Sequence, residues 1–334
     1  MPEIRLNLIT GDWVIIATER AKRPEDFSHK KEKKDLPRYV PTCPFCPGNE
    51  DKTPLATFKL TGSDGNWSVR SVPNKFSALT PVGDILKSKT DFKQYISGVG
   101  LHEVIIETPE HNMTTALLPL NQIEQILVSY RNRLHAFYKD PRIEHVIIFK
   151  NHGQSAGTSL EHPHSQIVGT PVFPGQVMNR LEEALRSYYY VNFGECLYCS
   201  HVKDEMKDGT RVIFENNSFV VFIPYAALSP FHLWVFPKKH NACFGHINDS
   251  ELSDLAIALK ETLLRLYVGL ENPDFNYVVR SLSPREADSK YFHWYIAIVP
   301  RVSQIAGFEL GTGMYINTAL PEASAEFLRN VKLP

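Results

Sequence analysis

The chain has 334 residues, of which 43% are hydrophobic, 22% charged and 11% aromatic, a composition that excludes disordered, collagenous and coiled-coil proteins. Thirty-six Lys and Arg against 37 Asp and Glu leave a net charge of −1, without the basic excess expected of a nucleic-acid binder. Apolar runs fall short of the ~18 residues a membrane span needs, and Glu3 and Arg5 interrupt the N-terminus where a signal peptide would turn apolar, so a cytoplasmic protein with no membrane partner is expected.

A strand at Trp13–Thr18 leads into Arg20-Ala21-Lys22-Arg23, whose charges suit phosphate groups. The lysine-rich stretch from His29 to Arg38 reads as a solvated loop. Cys43-Pro44-Phe45-Cys46 follows in a Pro-rich turn. In a reducing compartment this pair is expected to be neither a structural disulfide nor a redox couple, and a knuckle that offers two thiolates to a metal is the better reading. The strand His102–Glu107 and the turn Thr108–His111 precede a helix, with Asn121 as its expected N-cap, Glu124 three residues on, and Ile123, Ile126, Leu127, Tyr130 and Leu134 as an apolar stripe. The strand His145–Lys150, a glycine loop and the run His162-Pro163-His164-Ser165-Gln166 complete the first half.

The second half replays this order. Cys196 and Cys199 are followed by strands at Phe219–Pro224 and His232–Phe236, then His240. A helix capped near Asp249 or Ser250 carries Leu252, Leu255, Leu259, Leu263 and Leu264, and strands at Tyr277–Arg280 and Phe292–Pro300 follow, the last containing His293. His111 and His164 stand 53 residues apart, as do His240 and His293. The repeat is too long for a solenoid and occurs twice, so the expected fold is α+β, with two fused halves at 1–185 and 186–334, each an antiparallel sheet with packed helices. Residues 301–320, rich in Gly and turn formers, read as a loop that reaches into a site.

Alternation along a strand puts His162, His164 and Gln166 on one face, and three polar side chains there are costly unless they meet a metal, a ligand or one another. His162 completes a Cys2His2 set with Cys43, Cys46 and His111, the donor set of structural zinc. His164 is then held beside the metal without ligating it. A neutral imidazole oriented through one nitrogen can attack phosphorus with the other, and Gln166 can donate its amide to a phosphate oxygen. In the loop Asn151–Ser159, Gly153 and Gly157 free backbone N–H groups for an anion, with Asn151, Thr158 and Ser159 alongside. Cys196, Cys199, His240 and His293 make a second Cys2His2 set that lacks the nucleophile, with Tyr291 and Tyr295 at the same-face positions. His102, His145, His152, His201, His232 and His246 read as surface or packing residues, and Cys243 as a buried small hydrophobe.

RAKRP at 20–24, CPFC at 43–46, Asn74 in VPNKF, NxGxxxGxS at 151–159 and HPHSQ at 162–166 together resemble the galactose-1-phosphate uridylyltransferase family, a branch of the histidine-triad superfamily. The resemblance runs nearly end to end. It implies a duplicated histidine-triad-like fold, a homodimer, His164 as the nucleophile, and zinc on Cys43, Cys46, His111 and His162. It also implies nucleotide contacts from Arg20, Arg23, Asn74, Asn151, Gly157, Ser159 and Gln166, with Lys22 and Thr158 beside them. The second CxxC with His240 and His293 is similar to that of the two-zinc members, which include ADP-glucose phosphorylase-like proteins; this second site is open to another metal. Gly307-Phe308-Glu309-Leu310-Gly311-Thr312-Gly313 takes the place of the sugar-binding segment, with Phe308 and Glu309 as the sugar-holding candidates. The expected substrates are a nucleotide sugar and a sugar 1-phosphate: UDP-glucose and galactose 1-phosphate would yield glucose 1-phosphate and UDP-galactose. ADP-glucose phosphorolysis and histidine-triad nucleotide hydrolysis are the alternatives.

Overall fold

The computed structural model describes residues 1–17, 23, 27, 36–182 and 188–334. Two short strands, β1 (Glu3–Leu6) and β2 (Trp13–Ile16), open the chain. Next come β3 (Phe58–Thr61), β4 (Trp67–Pro73), a small hairpin of β5 (Lys87–Lys89) and β6 (Gln94–Ile96), then β7 (Leu101–Ile106), helix α1 (Leu120–Phe137), β8 (His145–His152) and β9 (His164–Thr170). After α2 (Gly175–Glu182) and α3 (Leu197–Asp208) follow β10 (Val212–Glu215), β11 (Phe219–Phe222), β12 (Leu233–Pro237), α4 (Asp249–Gly269), β13 (Phe275–Arg280) and β14 (Tyr295–Pro300). Helix α5 (Gly307–Thr312), β15 (Tyr315–Asn317) and α6 (Pro321–Asn330) end the chain.

The duplication is visible in the sheet. Ten strands run in the order β10-β11-β12-β14-β13-β8-β9-β7-β4-β3, so five strands read inward from one edge mirror five read from the other. The two sets are not separate sheets, as expected from the sequence; β13 pairs antiparallel with β8 through Asn276 opposite Asn151, fusing them into one. Each interior strand thereby gains a paired neighbour for its backbone N–H and C=O groups, which an edge strand lacks.

Helices α1 and α4, equivalent in the two sets, lie on one face of this sheet. Ile123, Ile126, Leu127 and Leu134 of α1 and Leu252, Leu255, Leu259 and Leu263 of α4 join Ile105, Ile148, Ile167, Val235 and Ile296 in one buried cluster. Each such side chain contributes about 1.5–3 kcal/mol by leaving water. The opposite face carries two smaller buried clusters, one around Cys43, Phe45 and Cys46 and one around Cys196, Trp234 and Tyr295.

Three local expectations are corrected. Helix α1 begins two residues earlier than expected, with extended Pro119 and not Asn121 at the N-cap, because the fixed φ of proline already sets the entry of the chain. Helix α4 is capped by Asn248, whose side chain accepts from Glu251 N while the Glu251 carboxylate accepts from Asn248 N; this reciprocal pair outcompetes Asp249 and Ser250. Residues 301–320 are not one loop: α5 and β15 are ordered elements, and β15 pairs parallel with β2 through Ile316 opposite Ile15. The equal 53-residue spacing is also offset from the structural repeat. His162 lies two residues before β9 and His293 two residues before β14, so His293 matches His162, and Tyr295 matches His164.

Candidate active site

The knuckle at Cys43–Cys46 is tightened by backbone bonds from Cys46 N to Cys43 O at 3.3 Å and from Cys43 N to Val40 O at 3.1 Å. Asn49 Nδ2 donates to Cys43 O at 2.8 Å and locks the turn. Opposite it, Cys43 Sγ is 3.7 Å and Cys46 Sγ 3.6 Å from His162 Nδ1, and Cys46 Sγ is 3.6 Å from His111 Nδ1. All four donor atoms lie within 4.8 Å of one another, and all four residues are buried. A tetrahedral cation with metal–sulfur and metal–nitrogen bonds near 2.3 and 2.05 Å requires sulfur–nitrogen edges of about 3.6 Å. The observed separations fit that requirement. His162 Nε2 donates to Thr108 O at 2.8 Å, which fixes the tautomer and turns Nδ1 toward the thiols. Burial pushes the His162 ring down to about 4 and holds His111 below its ordinary value, so both are neutral donors at neutral pH.

Two residues further on, at the start of β9, stands His164. The register Ile106 opposite His164, Ile105 opposite Ser165 and Val104 opposite Gln166 alternates the strand between the two faces of the sheet. Ser165 and Ile167 point toward α1, where Ser165 Oγ meets the Tyr130 hydroxyl and Ile167 joins the main core. His164 lies on the other face, its ring 5.4 Å from that of Phe45. Its Nδ1 donates to His162 O at 2.8 Å, leaving Nε2 as the nitrogen with the lone pair. The ring is only 7% exposed, and burial pushes it below its ordinary value despite the pull of the His162 carbonyl, so the neutral base dominates near pH 7.

Beneath this strand runs a buried polar network that sequence reasoning missed. Lys150 Nζ donates to Glu107 Oε2 at 2.7 Å and to His164 O at 3.2 Å, and Thr115 Oγ1 donates to the same carboxylate at 2.9 Å. Ser165 Oγ also meets Glu107, and Tyr130 meets Tyr277 hydroxyl to hydroxyl. Burial pushes the Glu107 carboxyl up, but Lys150, Ser165 and Thr115 outweigh it and hold the group below its ordinary value. His102 was missed as well. Its Nε2 sits 2.9 Å from Gln166 Oε1, to which a protonated Nε2 donates and so leaves the Gln166 NH2 as an available donor, and 3.0 Å from Asn74 Nδ2. The available signals were Glu107 and Lys150 at the ends of otherwise apolar strands, and His102 in phase with Val104 on β7.

The loop before His162 is held from β13. Asn276 Nδ2 donates to Asn151 Oδ1 at 2.8 Å and to Ala156 O at 2.9 Å, and Thr158 Oγ1 donates to Asn151 O. Gly153 has φ +83°, and a Cβ there would lie 1.6 Å from the Asp274 carboxylate, so no other residue fits. Gly157, at φ +86°, ends the short turn of helix 154–156, and Ser159 beyond it is exposed. Arg23 is exposed; Arg20 and Lys22 lie outside the described residues.

Not every expected residue comes together. Gly307, Phe308 and Glu309 open α5 and Gly313 caps it. Glu309 Oε2 accepts from Ala306 N at 3.0 Å, and Phe308 is 41% exposed. Among the described residues no hydrogen bond or ion pair joins this segment to His164, Gln166 or Asn74, so the expected reach of residues 301–320 into the site is not made within one chain. The second metal set is also looser than expected. Cys196, Cys199 and His240 place their donors within 4.8 Å of one another, a group that His293 does not join, although its Nδ1 is 3.5 Å from Cys199 Sγ. Cys199 Sγ to His240 Nδ1 is 3.1 Å, shorter than a tetrahedral edge, and His240 is exposed. The cause is local: Cys196 is the N-cap of α3 and Cys199 lies in its first turn, so this pair does not form a free knuckle.

A neutral histidine with a free Nε2 stands beside a Cys2His2 cluster on a duplicated antiparallel sheet, an arrangement suited to nucleotidyl transfer. The family models "Galactose-1-phosphate uridyl transferase, N-terminal domain" and its C-terminal counterpart match residues 1–174 and 182–332. The chain belongs to the galactose-1-phosphate uridyl transferase family. It is 36% identical to an ADP-glucose phosphorylase of Arabidopsis thaliana over 99% of this chain and 93% of that protein. It is 26% identical to a galactose-1-phosphate uridylyltransferase of Thermotoga maritima over 100% of this chain and 99% of that protein. A crystal structure of an Arabidopsis thaliana ADP-glucose phosphorylase with bound ADP-glucose superposes with a TM-score of 0.83 at 34% identity, covering 100% of both chains.

Proposed function

We propose that His164 carries a nucleotidyl group between a nucleotide sugar and a phosphate-bearing acceptor. The observation that carries this reading is the His164 Nδ1 bond to its neighbour's carbonyl, which leaves a buried, neutral Nε2 facing outward from the sheet. In the first step Nε2 bonds to the α-phosphorus as the phosphorus–oxygen bond to the sugar phosphate breaks, and glucose 1-phosphate leaves. In the second, an oxygen of the acceptor phosphate bonds to that phosphorus as the nitrogen–phosphorus bond breaks, restoring the imidazole. Nucleophilic relay replaces one difficult displacement by two in-line ones. Gln166, the loop Asn151–Ser159, Asn74 and the Arg20–Arg23 segment would hold the phosphates and nucleoside as charge develops.

Zinc on Cys43, Cys46, His111 and His162 would supply a rigid anchor for the start of β9, and Cys196, Cys199, His240 and His293 would form the second site. In this reading residues 1–185 carry the chemistry, residues 186–334 support it, and the enzyme is a cytoplasmic homodimer that takes its sugar contacts from Gly307, Phe308, Glu309 and Gly313. No helix among the described residues is long and apolar enough to cross a membrane.

Uridylyl transfer from UDP-glucose to galactose 1-phosphate is the first reading, supported by the family. ADP-glucose phosphorolysis is the second, favoured by the 36% identity to the phosphorylase against 26% to the Thermotoga maritima uridylyltransferase. Intact-mass measurement after incubation with UDP-glucose and, separately, ADP-glucose tests both. A uridylyl or adenylyl adduct that His164→Gly abolishes is expected. Chasing the adduct with galactose 1-phosphate or with inorganic phosphate then identifies the acceptor. Steady release of nucleoside monophosphate without acceptor would mean hydrolysis, and no adduct with either donor overturns the relay.

A further inference from the structure

The second set of five strands, β10 to β14, carries on the same sheet face as His164 a cavity of about 240 Å³. Its walls follow from the repeat. Tyr295 matches His164, and Trp234 lies opposite Ala297 on β14 as Val104 lies opposite Gln166 on β9. Two residues before Trp234 is His232, two before Val104 is His102, so His232 holds the position from which His102 reaches Gln166 and Asn74. The cavity is therefore the counterpart of the nucleotide groove, without the nucleophile.

Its charge is unbalanced. Among the described residues, Arg180 from α2 and Arg280 from β13 both line it, with Asp12 as the one lining carboxylate. Arg180 Nη1 donates to the Tyr295 hydroxyl at 3.4 Å; among the described residues Arg280 makes no side-chain hydrogen bond and neither arginine has an ion pair. Burial, and then the Arg180 guanidinium, push Arg280 below its ordinary value. His232 is 6% exposed and its Nε2 accepts from Trp234 Nε1 at 3.2 Å. That bond places the proton on Nδ1, which has no partner. A buried charge or donor without a partner is costly, and an anion offering oxygen acceptors removes the cost.

We propose that this cavity binds a small phosphate monoester or phosphate ion, with Arg180 and Arg280 gripping the phosphate oxygens and His232 Nδ1–H as a third donor. The site is distinct from His164 and takes no part in the transfer itself, so it stands or falls apart from the relay. Calorimetric titration of the full-length protein with inorganic phosphate and, separately, with glucose 1-phosphate tests it, repeated on Arg280→Gln and Arg180→Gln. One binding event is expected to weaken by about tenfold or more in each variant, the loss of one charge-assisted hydrogen bond. Nucleotide labelling of His164 should persist in both. Tighter binding of glucose 1-phosphate than of phosphate would define a sugar-phosphate site, and equal binding a site for the phosphate alone. Isotherms unchanged by either substitution, or no saturable event sensitive to them, overturn the proposal. Should Arg280→Gln fail to fold, Arg180→Gln on the partly exposed helix decides alone.

Discussion

The same sheet carries two versions of one site, and they differ in how firmly the first residue of β9 or of its counterpart β14 is held. At Cys43, Cys46, His111 and His162 every donor is buried and the sulfur–nitrogen edges are 3.6–3.7 Å. At Cys196, Cys199 and His240 one donor residue is exposed and an edge shrinks to 3.1 Å. Beyond the tight set the strand presents His164, supported from behind by Lys150; beyond the loose set it presents Tyr295, which has a 3.4 Å bond from Arg180. A cluster that pins a strand end is thus useful in proportion to what stands two residues past it. The proposed relay requires sub-ångström placement of the His164 nitrogen, whereas a phenol beside a cavity does not.

The largest expected effect separates the pinning cluster from the imidazole it pins. His164→Gly should lower nucleotidyl transfer by on the order of 10⁴-fold or more while metal content matches the wild type. Parallel loss of both would mean that His164 is itself a ligand. Next, Cys43→Ser and Cys199→Ser compare the two clusters directly. Cys43→Ser should release about one metal ion per chain and cost about 3 kcal/mol or more, because ligand binding and folding are coupled. Cys199→Ser should cost less, since its site is partly open to water. Elemental analysis and denaturant unfolding give the two numbers, and equal losses would mean that the two clusters hold their strands equally firmly.

A third substitution addresses the support behind His164. Lys150 and Glu107 are 1% and 0% exposed, so Lys150→Met strands a carboxylate in the interior and should cost roughly 3–5 kcal/mol. The double variant Lys150→Met, Glu107→Gln removes the stranded charge and should recover most of that stability, yet transfer should stay impaired, because the His164 carbonyl has lost its donor. Full recovery of rate in the double variant would reduce the network to a packing role.

How much of this was legible in the chain depends on how local each signal is. Cys43-x-x-Cys46 and His162-x-His164 are short patterns whose geometry a turn or a strand enforces by itself, so the paired thiols and the two imidazoles on one strand face could be read directly. The His102–Gln166–Asn74 chain and the Glu107–Lys150–Ser165–Tyr130–Tyr277 network depend on which strands neighbour one another and in what register. No spacing along the sequence encodes the pairing of β7 with β9 or of β8 with β13. The equal histidine intervals misled for the same reason. They count residues through loops of different length, whereas the sheet aligns strand starts. In α5, Glu309 satisfies the backbone of its own helix start, a local bond that a reading centred on sugar recognition overlooks.

The smallest effect lies at β8, away from either metal cluster. His145 is 4% exposed, and burial followed by the Arg280 guanidinium pushes its ring down to about 4. An unfolded histidine titrates near 6.5. Between those values the unfolded chain binds a proton that the folded chain refuses, so stability is complete above about pH 6.5 and drains away as the pH falls toward 4. The full difference is about 3 kcal/mol at one site. His145→Phe keeps an aromatic ring beside Phe173, 5.7 Å away in the native protein, but has nothing to protonate. Unfolding free energies measured at intervals from pH 7 to pH 4.5 should therefore fall less steeply in the variant than in the wild type. Parallel curves would show that His145 keeps its ordinary affinity for protons when folded, and that the positive field of Arg280 does not reach across from the second half of the sheet to the first.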